Sequence, residues 1–160
     1  LERLQRAFGW RAGRFLSVGP RSAYPIVRTL AQRLVAPRAV LVGNAAQSLH
    51  PIGAQGFNPG LRDALTLVEC IEAAHARGEH PGGEAMLAEY AQRRREDRER
   101  TIAFSDGLAR LTSNPSALVS LLRTLGLFAL DHDAALRARV VAGAMGYRGD
   151  IPLLCREAHA

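Results

Sequence analysis

The sequence predicts an α/β arrangement of the α+β kind, with a few strands first and a mostly helical remainder. Three observations carry this expectation. Residues 14–42 hold extended-looking apolar runs punctuated by Pro20, Pro25 and Pro37. From Phe57 onward apolar residues recur at helical spacing. Gly, Pro, Asn or Asp stands at each break between the later runs.

Taken in order, residues 1–12 (LERLQRAFGWRA) read as the end of a helix stopped near Gly9 and Gly13. The runs 15–18, 23–30 and 40–42 read as strands, the last one short, fully apolar and buried. The prolines confine the earlier runs to edges or strand ends. Residues 57–77 place Leu61, Ala64, Leu65, Val68 and Ile71 at a helical period, broken by Gly78 and His80-Pro81-Gly82-Gly83. Further helices are expected at 84–111, 116–130 and 133–145, with Asn114-Pro115 and Asp131-His132-Asp133 as caps between them. Two or three strands alone make a poor sheet, and the chain starts at Leu1 rather than Met. The sequence therefore reads as a fragment whose sheet another chain or a missing N-terminal half completes.

Composition narrows the class. With 160 residues, 48% hydrophobic and 22% charged, the chain suits one domain and is too apolar for disorder. No stretch reaches the roughly 18 uninterrupted apolar residues of a membrane-spanning helix. Cys70 and Cys155 are too few for a disulfide scaffold and lack metal or redox spacing, so reduced thiols and a cytoplasmic setting are expected. Residues 1–15 lack the apolar core of a signal peptide. The net charge of +6 comes entirely from arginine. The densest basic run, residues 93–100, is interleaved with acids; Glu96–Arg100, Arg93–Asp97 and Arg95–Glu99 fall at i,i+4 and read as a solvated helix face. No aromatic-studded basic stripe is visible, so a nucleic-acid partner is not expected. His75 and His80 with Glu72 and Glu79 do not make a ligand set of three or four, so no metal is expected. Ser48-Leu49-His50 is not a nucleophile elbow, and no residue is assigned as catalytic. In helix 116–130, Leu118, Leu121, Leu122, Leu125, Phe128 and Ala129 share one side. Such a stripe is read first as core; the alternative is a surface that meets a membrane, a prenyl tail or a partner subunit.

The informative stretch is 40–64, VLVGNAAQSLHPIGAQGFNPGLRDA. A buried strand is expected to end at Gly43, with Asn44 at its carboxyl end, the usual ligand position in open α/β sheets. A loop with glycines at 53, 56 and 60 then opens a long helix. Glycine lets a ligand approach the backbone, and the helix N-terminus offers free N–H groups and positive dipole to negative charge. The spacing is neither G-x-G-x-x-G nor a P-loop. His50 beside Pro51 fits a proton relay or a structurally hydrogen-bonded loop histidine.

The run GNAAQSLHPIGAQGFNPGLRDAL resembles the second flavin-binding motif of class A flavoprotein aromatic hydroxylases, G-D-A-A-H, then P, then G-Q-G-x-N-x-G-x-x-D. It is most similar to the ubiquinone-biosynthesis branch, the 2-octaprenyl-6-methoxyphenol hydroxylases, where asparagine typically replaces the aspartate, as in Gly43-Asn44-Ala45-Ala46-Gln47. Arg21-Ser22-Ala23-Tyr24-Pro25-Ile26 and Tyr90-Ala91-Gln92-Arg93-Arg94 also fit that branch, and the resemblance runs from about Phe8 to about Gly146.

The resemblance implies the C-terminal part of an FAD/NAD(P)-binding, para-hydroxybenzoate-hydroxylase-like fold. Residues 1–38 would end a substrate-domain sheet, 39–80 would carry the flavin motif and its helix, and 81–160 would form a helical C-terminal region. It implies FAD held by Gly43, Asn44, Pro51, Gln55, Gly56, Phe57 and Asn58. Asn44 would bond the ribityl chain, Pro51 would lie beside the reactive edge, and the amides of Gly56, Phe57 and Asn58 would face the pyrimidine side. Helix-end charge there would stabilise the anionic reduced flavin. Asp63 sits on the first turns of that helix, where a carboxylate suits the dipole. Tyr24, Pro25 and His50 are the candidates for the substrate pocket. NAD(P)H would reduce the flavin, and a flavin hydroperoxide would hydroxylate a phenol carrying a polyprenyl tail. Peripheral contact with the inner membrane and a ubiquinone-biosynthesis complex would follow.

Departures from the family pattern are specific. Gly53-Ala54-Gln55-Gly56 stands where Ala-Gly-Gln-Gly is usual, and Pro59 stands where leucine is usual, removing an N–H near the proposed contact. The N-terminal unit that holds the ADP half of FAD, and the middle pyrophosphate motif, have no counterpart in residues 1–160. The alternative expectation is a truncated, non-catalytic relative acting as an assembly or lipid-binding module.

Overall fold

The structure is a computed structural model and describes residues 1–51, 56–145 and 149–156. Helices dominate it. Helix α1 (Glu2–Phe8) is short and ends at Gly9, whose φ of 76° turns the chain out of the helix. Four two-residue strands follow: β1 (Thr29–Leu30), β2 (Val35–Ala36), β3 (Ala39–Val40) and β4 (Gln47–Ser48). A 3-10 turn spans Gly43–Ala45 between β3 and β4. Then come α2 (Phe57–Ala76), α3 (Glu84–Ser113), α4 (Ala117–His132) and α5 (Ala134–Ala144), with a last 3-10 turn at Leu153–Cys155.

The helices lie where periodicity and caps place them. Asp133 accepts hydrogen bonds from the Ala135 and Leu136 amides at 2.9 Å each, a side-chain cap on α5. Asn114 accepts from the Ser116 amide at 2.9 Å in the break between α3 and α4. The strands are much shorter than the apolar runs suggest. β1 pairs antiparallel with β4, Thr29 facing Ser48, and β2 pairs antiparallel with β3, Val35 facing Val40. Of the runs 15–18 and 23–30 only Thr29–Leu30 is strand, and of 40–42 only Val40. The expected buried strand up to Gly43 is therefore corrected: Leu41 and Val42 are each 37% exposed. A two-stranded pairing is marginal on its own, and each strand here has a single neighbour.

The core lies between α2, α3 and the β2–β3 hairpin. Cys70 and Ala74 of α2 meet Met86, Leu87 and Tyr90 of α3 together with Leu34 and Ala46, and Val35, Val40 and Leu67 pack around them. Helices α2 and α3 run antiparallel, so positions late in α2 face positions early in α3. The stripe on α4 is not core. Leu118, Leu121, Leu122, Leu125 and Phe128 are all more than half exposed, because α4 packs chiefly against α5 rather than against the α2–α3 pair.

Candidate functional site

The stretch from Gly43 to Asp63 closes on itself. Gly43 adopts φ +57°, a conformation side chains disfavour, and its Cα faces Gly60 on the first turns of α2. A Cβ added at Gly60 would sit 3.1 Å from the Gly43 Cα, and one added at Gly43 would sit 3.6 Å from the Gly60 Cα. Two glycines thus let the turn rest directly on the helix backbone. The Gly43 amide donates to the Asp63 Oδ2 at 2.9 Å, which ties the turn to the helix a second time.

This contact brings Asn44 to the start of α2. Asn44 is exposed, and so are Pro51, Gly56, Phe57 and Asn58. Phe57 is 76% exposed. Gly56 is the N-cap residue of α2; among the described residues no side chain caps the helix, and no acid stands in its first turn. The positive end of the helix is left to its own amides, those of Phe57 and Asn58 among them; Pro59, buried in the first turn, supplies none. Gln55, with Ile52, Gly53 and Ala54, lies outside the described residues.

The pocket candidates divide. The His50 carbonyl accepts from the Ser105 hydroxyl of α3 at 3.2 Å, which fixes the chain just before Pro51. Tyr24 is 81% exposed and Pro25 is exposed, both on an irregular segment before β1. The antiparallel pairing of Thr29 with Ser48 directs that segment along the residues following Ser48.

Beneath the turn lies a group of charges that the sequence reading missed. Arg94, 1% exposed, donates from Nε to the Asp63 Oδ1 at 2.7 Å and from Nη2 to the Asp97 Oδ2. Arg62 donates from Nε and Nη2 to the Asp97 carboxylate at 2.9 and 3.2 Å. Two arginines and two aspartates thus form a buried, charge-balanced network across the α2–α3 interface. The Arg94 Nη1 is buried and, among the described residues, has no hydrogen-bond partner. The two oxygens of Asp63 are taken by Arg94 and by the Gly43 amide.

The solvated-face reading of 93–100 is corrected with it. Glu96 and Arg100 do pair on the surface. Arg93 turns instead to Glu69 at 2.6 Å and Asp150 at 2.5 Å, while Asp97 is taken by Arg62 and Arg94. Arg98 holds the strand side of the turn, donating to the Gln47 Oε1 at 2.9 Å and the Ala31 carbonyl at 2.7 Å. Tyr90 donates to the Leu41 carbonyl at 3.2 Å, and burial, followed by the nearby Asp63 charge, pushes its phenol above the ordinary tyrosine value. The buried Cys70 thiol, part of the core cluster, is also pushed up, chiefly by desolvation. The missed signal is a stripe: Met86, Leu87 and Tyr90 continue at spacings of three and four through Arg94, Asp97, Thr101 and Ser105, all buried.

Comparison with known proteins bears on what this site holds. A family model described as FAD binding domain matches residues 1–105. Ubiquinone hydroxylase UbiL of Rhodospirillum rubrum is 43% identical over 143 residues, covering 89% of this chain and 33% of that protein. Ubiquinone biosynthesis monooxygenase COQ6, mitochondrial, of Mus musculus is 33% identical over 122 residues, 76% of this chain and 26% of that one. The 3-demethoxyubiquinol 3-hydroxylase of Escherichia coli is 32% identical over 124 residues, 78% and 32%. The chain spans between about a quarter and a third of the length of these relatives. With two thirds of its residues inside the family model and hydroxylases of one pathway among its relatives, the chain belongs to the FAD binding domain family, in the branch of FAD-dependent ubiquinone-biosynthesis hydroxylases.

Proposed function

We propose that these residues supply the ribityl- and ring-facing part of the FAD site in a monooxygenase that hydroxylates a polyprenylated phenol, with NAD(P)H as reductant. The observation that carries this reading is the glycine-to-glycine seating of the Gly43 turn on α2, which sets exposed Asn44 beside an uncapped helix start.

The donor set fits the cofactor. The Asn44 carboxamide offers both a donor and an acceptor to a polyol chain. The Phe57 and Asn58 amides, backed by the helix dipole, suit the electron-rich edge of a flavin ring. Among the described residues nothing lies within 4 Å of where a Cβ of Gly56 would stand, which suits the approach of a flat ring to the backbone there. Bound FAD supplies hydride acceptance from NAD(P)H and oxygen activation. The protein's part is positional: Asn44 orients the cofactor, Pro51 walls one side, and the helix start favours negative charge on the ring. Gln55 completes the proposed cofactor set, and Tyr24, Pro25 and His50 the substrate side. In domain terms, 1–38 belongs to the substrate sheet, 39–80 to the flavin motif and its helix, and 81–160 to a helical region within a para-hydroxybenzoate-hydroxylase-like fold. The proposed setting is cytoplasmic, peripheral to the inner membrane.

FAD titration followed by flavin fluorescence tests the reading. Saturable binding that weakens about tenfold in Asn44→Ala, the worth of one good hydrogen bond, supports it. No response of the wild type at high FAD overturns cofactor binding by this chain. The exposed leucines of α4 favour a second reading, an assembly or lipid-binding role. Vesicle co-sedimentation abolished by Leu121→Asp supports it, and absence of binding removes it.

A further inference from the structure

We infer that Asp63, held by Arg94, is a positioning residue for the flavin site, acting through the Gly43 amide rather than by touching the cofactor; this rests on the flavin reading above. The Asp63 carboxylate has two oxygens with separate tasks. Oδ2 takes the Gly43 amide at 2.9 Å and Oδ1 takes the Arg94 Nε at 2.7 Å. Gly43 immediately precedes Asn44 in the 3-10 turn, and its backbone rests on Gly60, so the backbone that carries Asn44 is held where that amide is pinned.

Arg94 cannot be replaced by a simple counter-charge. Its fork meets Asp63 with one nitrogen and Asp97 with another, and Arg62 closes on Asp97 from α2. The carboxylate that holds the turn is thereby locked in rotation by a neighbour on a different helix. Buried ion networks are weak sources of net stability compared with apolar packing of equal volume. Arg94 even keeps Nη1 without a partner among the described residues. What such a network delivers is a fixed geometry, and the backbone group at its end is the amide beside the proposed ribityl contact.

Two readouts on the same variants test the inference. In the FAD-free protein, hydrogen exchange at the Gly43 amide is slow in the wild type. It speeds up about tenfold or more in Asp63→Ala, which removes the acceptor, and less in Asp63→Asn, which keeps an oxygen for that amide. In FAD titrations the dissociation constant rises in the order wild type, Asn, Ala, and the visible absorption band of bound flavin changes shape in Asp63→Ala. Arg94→Lys, which keeps charge and most of the volume, shows the same spectral change in milder form while its circular dichroism stays folded. A wild type that does not bind FAD overturns cofactor binding by this chain, and the Gly43 exchange readout then decides the positioning role alone. A wild type that binds, with variants of unchanged dissociation constant and spectrum, overturns the positioning role alone. Unchanged Gly43 exchange in Asp63→Ala overturns it as well.

Discussion

Replacing Arg94 by methionine tests the buried network as a structural joint. Methionine fills much of the space, so the perturbation is mainly electrostatic. Among the described residues Asp63 loses its ionic partner and keeps the Gly43 amide, while Asp97 retains Arg62. Arg94 is 1% exposed and Asp63 and Asp97 are almost as buried, so water cannot rescue the stranded carboxylate. Removing one partner of a buried pair costs about 3–5 kcal/mol, a large share of the roughly 5–15 kcal/mol that holds a domain folded. At a urea slope of about 2 kcal/mol per molar, within the usual range for small proteins, the unfolding midpoint falls by about 2 M. The assay is urea denaturation followed by circular dichroism at 222 nm, since α2 and α3 dominate the signal. The double variant Arg94→Met/Asp63→Asn removes the stranded charge and recovers about 1 kcal/mol or more, the coupling expected of groups in one network. A loss under about 1 kcal/mol in Arg94→Met, or strict additivity in the double variant, refutes the reasoning.

Three further outcomes follow from the same geometry. Gly60→Ala places a methyl group 3.1 Å from the Gly43 Cα, backbone against backbone, and lowers stability by about 1–3 kcal/mol in a thermal melt. Leu121→Ser on exposed α4 leaves the urea midpoint within about 0.5 kcal/mol of the wild type, whereas Met86→Ala, 3% exposed, costs about 2–5 kcal/mol. Stability is pH-dependent on the alkaline side. Cys70 and Tyr90 have their folded values raised, mainly by burial, above ordinary values of 9.0 and 10.0, so the unfolded chain releases those protons first. Their contribution is complete below pH 9.0 and is lost as pH rises beyond it; urea midpoints from pH 7 to 11 decline accordingly, and Cys70→Ala flattens the first part of the decline.

Helices were legible because their signals are local: the 3–4 spacing in 57–77 and the Asp133 cap need nothing outside their own turns. Strands were not, since whether 23–30 becomes sheet depends on an edge to pair with, and only Thr29–Leu30 finds one. Asn44 and the glycines of the flavin-like motif were singled out by a polar residue after an apolar run, a glycine-rich loop before a helix, and the resemblance of the whole run to a flavin motif. Asp63 could be located but not understood, because its partner Arg94 is 31 residues away. Arg94 and Asp97 were misread for a physical reason: mixed charges at i,i+3 and i,i+4 look alike whether they face solvent or another helix. Only the buried stripe from Tyr90 through Thr101 separates the cases. The leucines of α4 make the converse point, since an apolar stripe states a preference for burial without supplying what buries it.

The charge balance of the α2–α3 joint has a consequence for ionic strength. At about 0.15 M salt the Debye length is about 8 Å, and counterions weaken pairs that stand in water while reaching buried ones far less. Arg77 with Glu79 and Arg100 with Glu96 are of the first kind, each partner more than two fifths exposed. Arg62, Arg94, Asp63 and Asp97 are of the second, and their charges sum to zero, so the group presents no monopole for an ion atmosphere to answer. Rising salt therefore loosens the periphery of this chain while the seat of the Gly43 turn keeps its shape, insulated from the electrolyte around it.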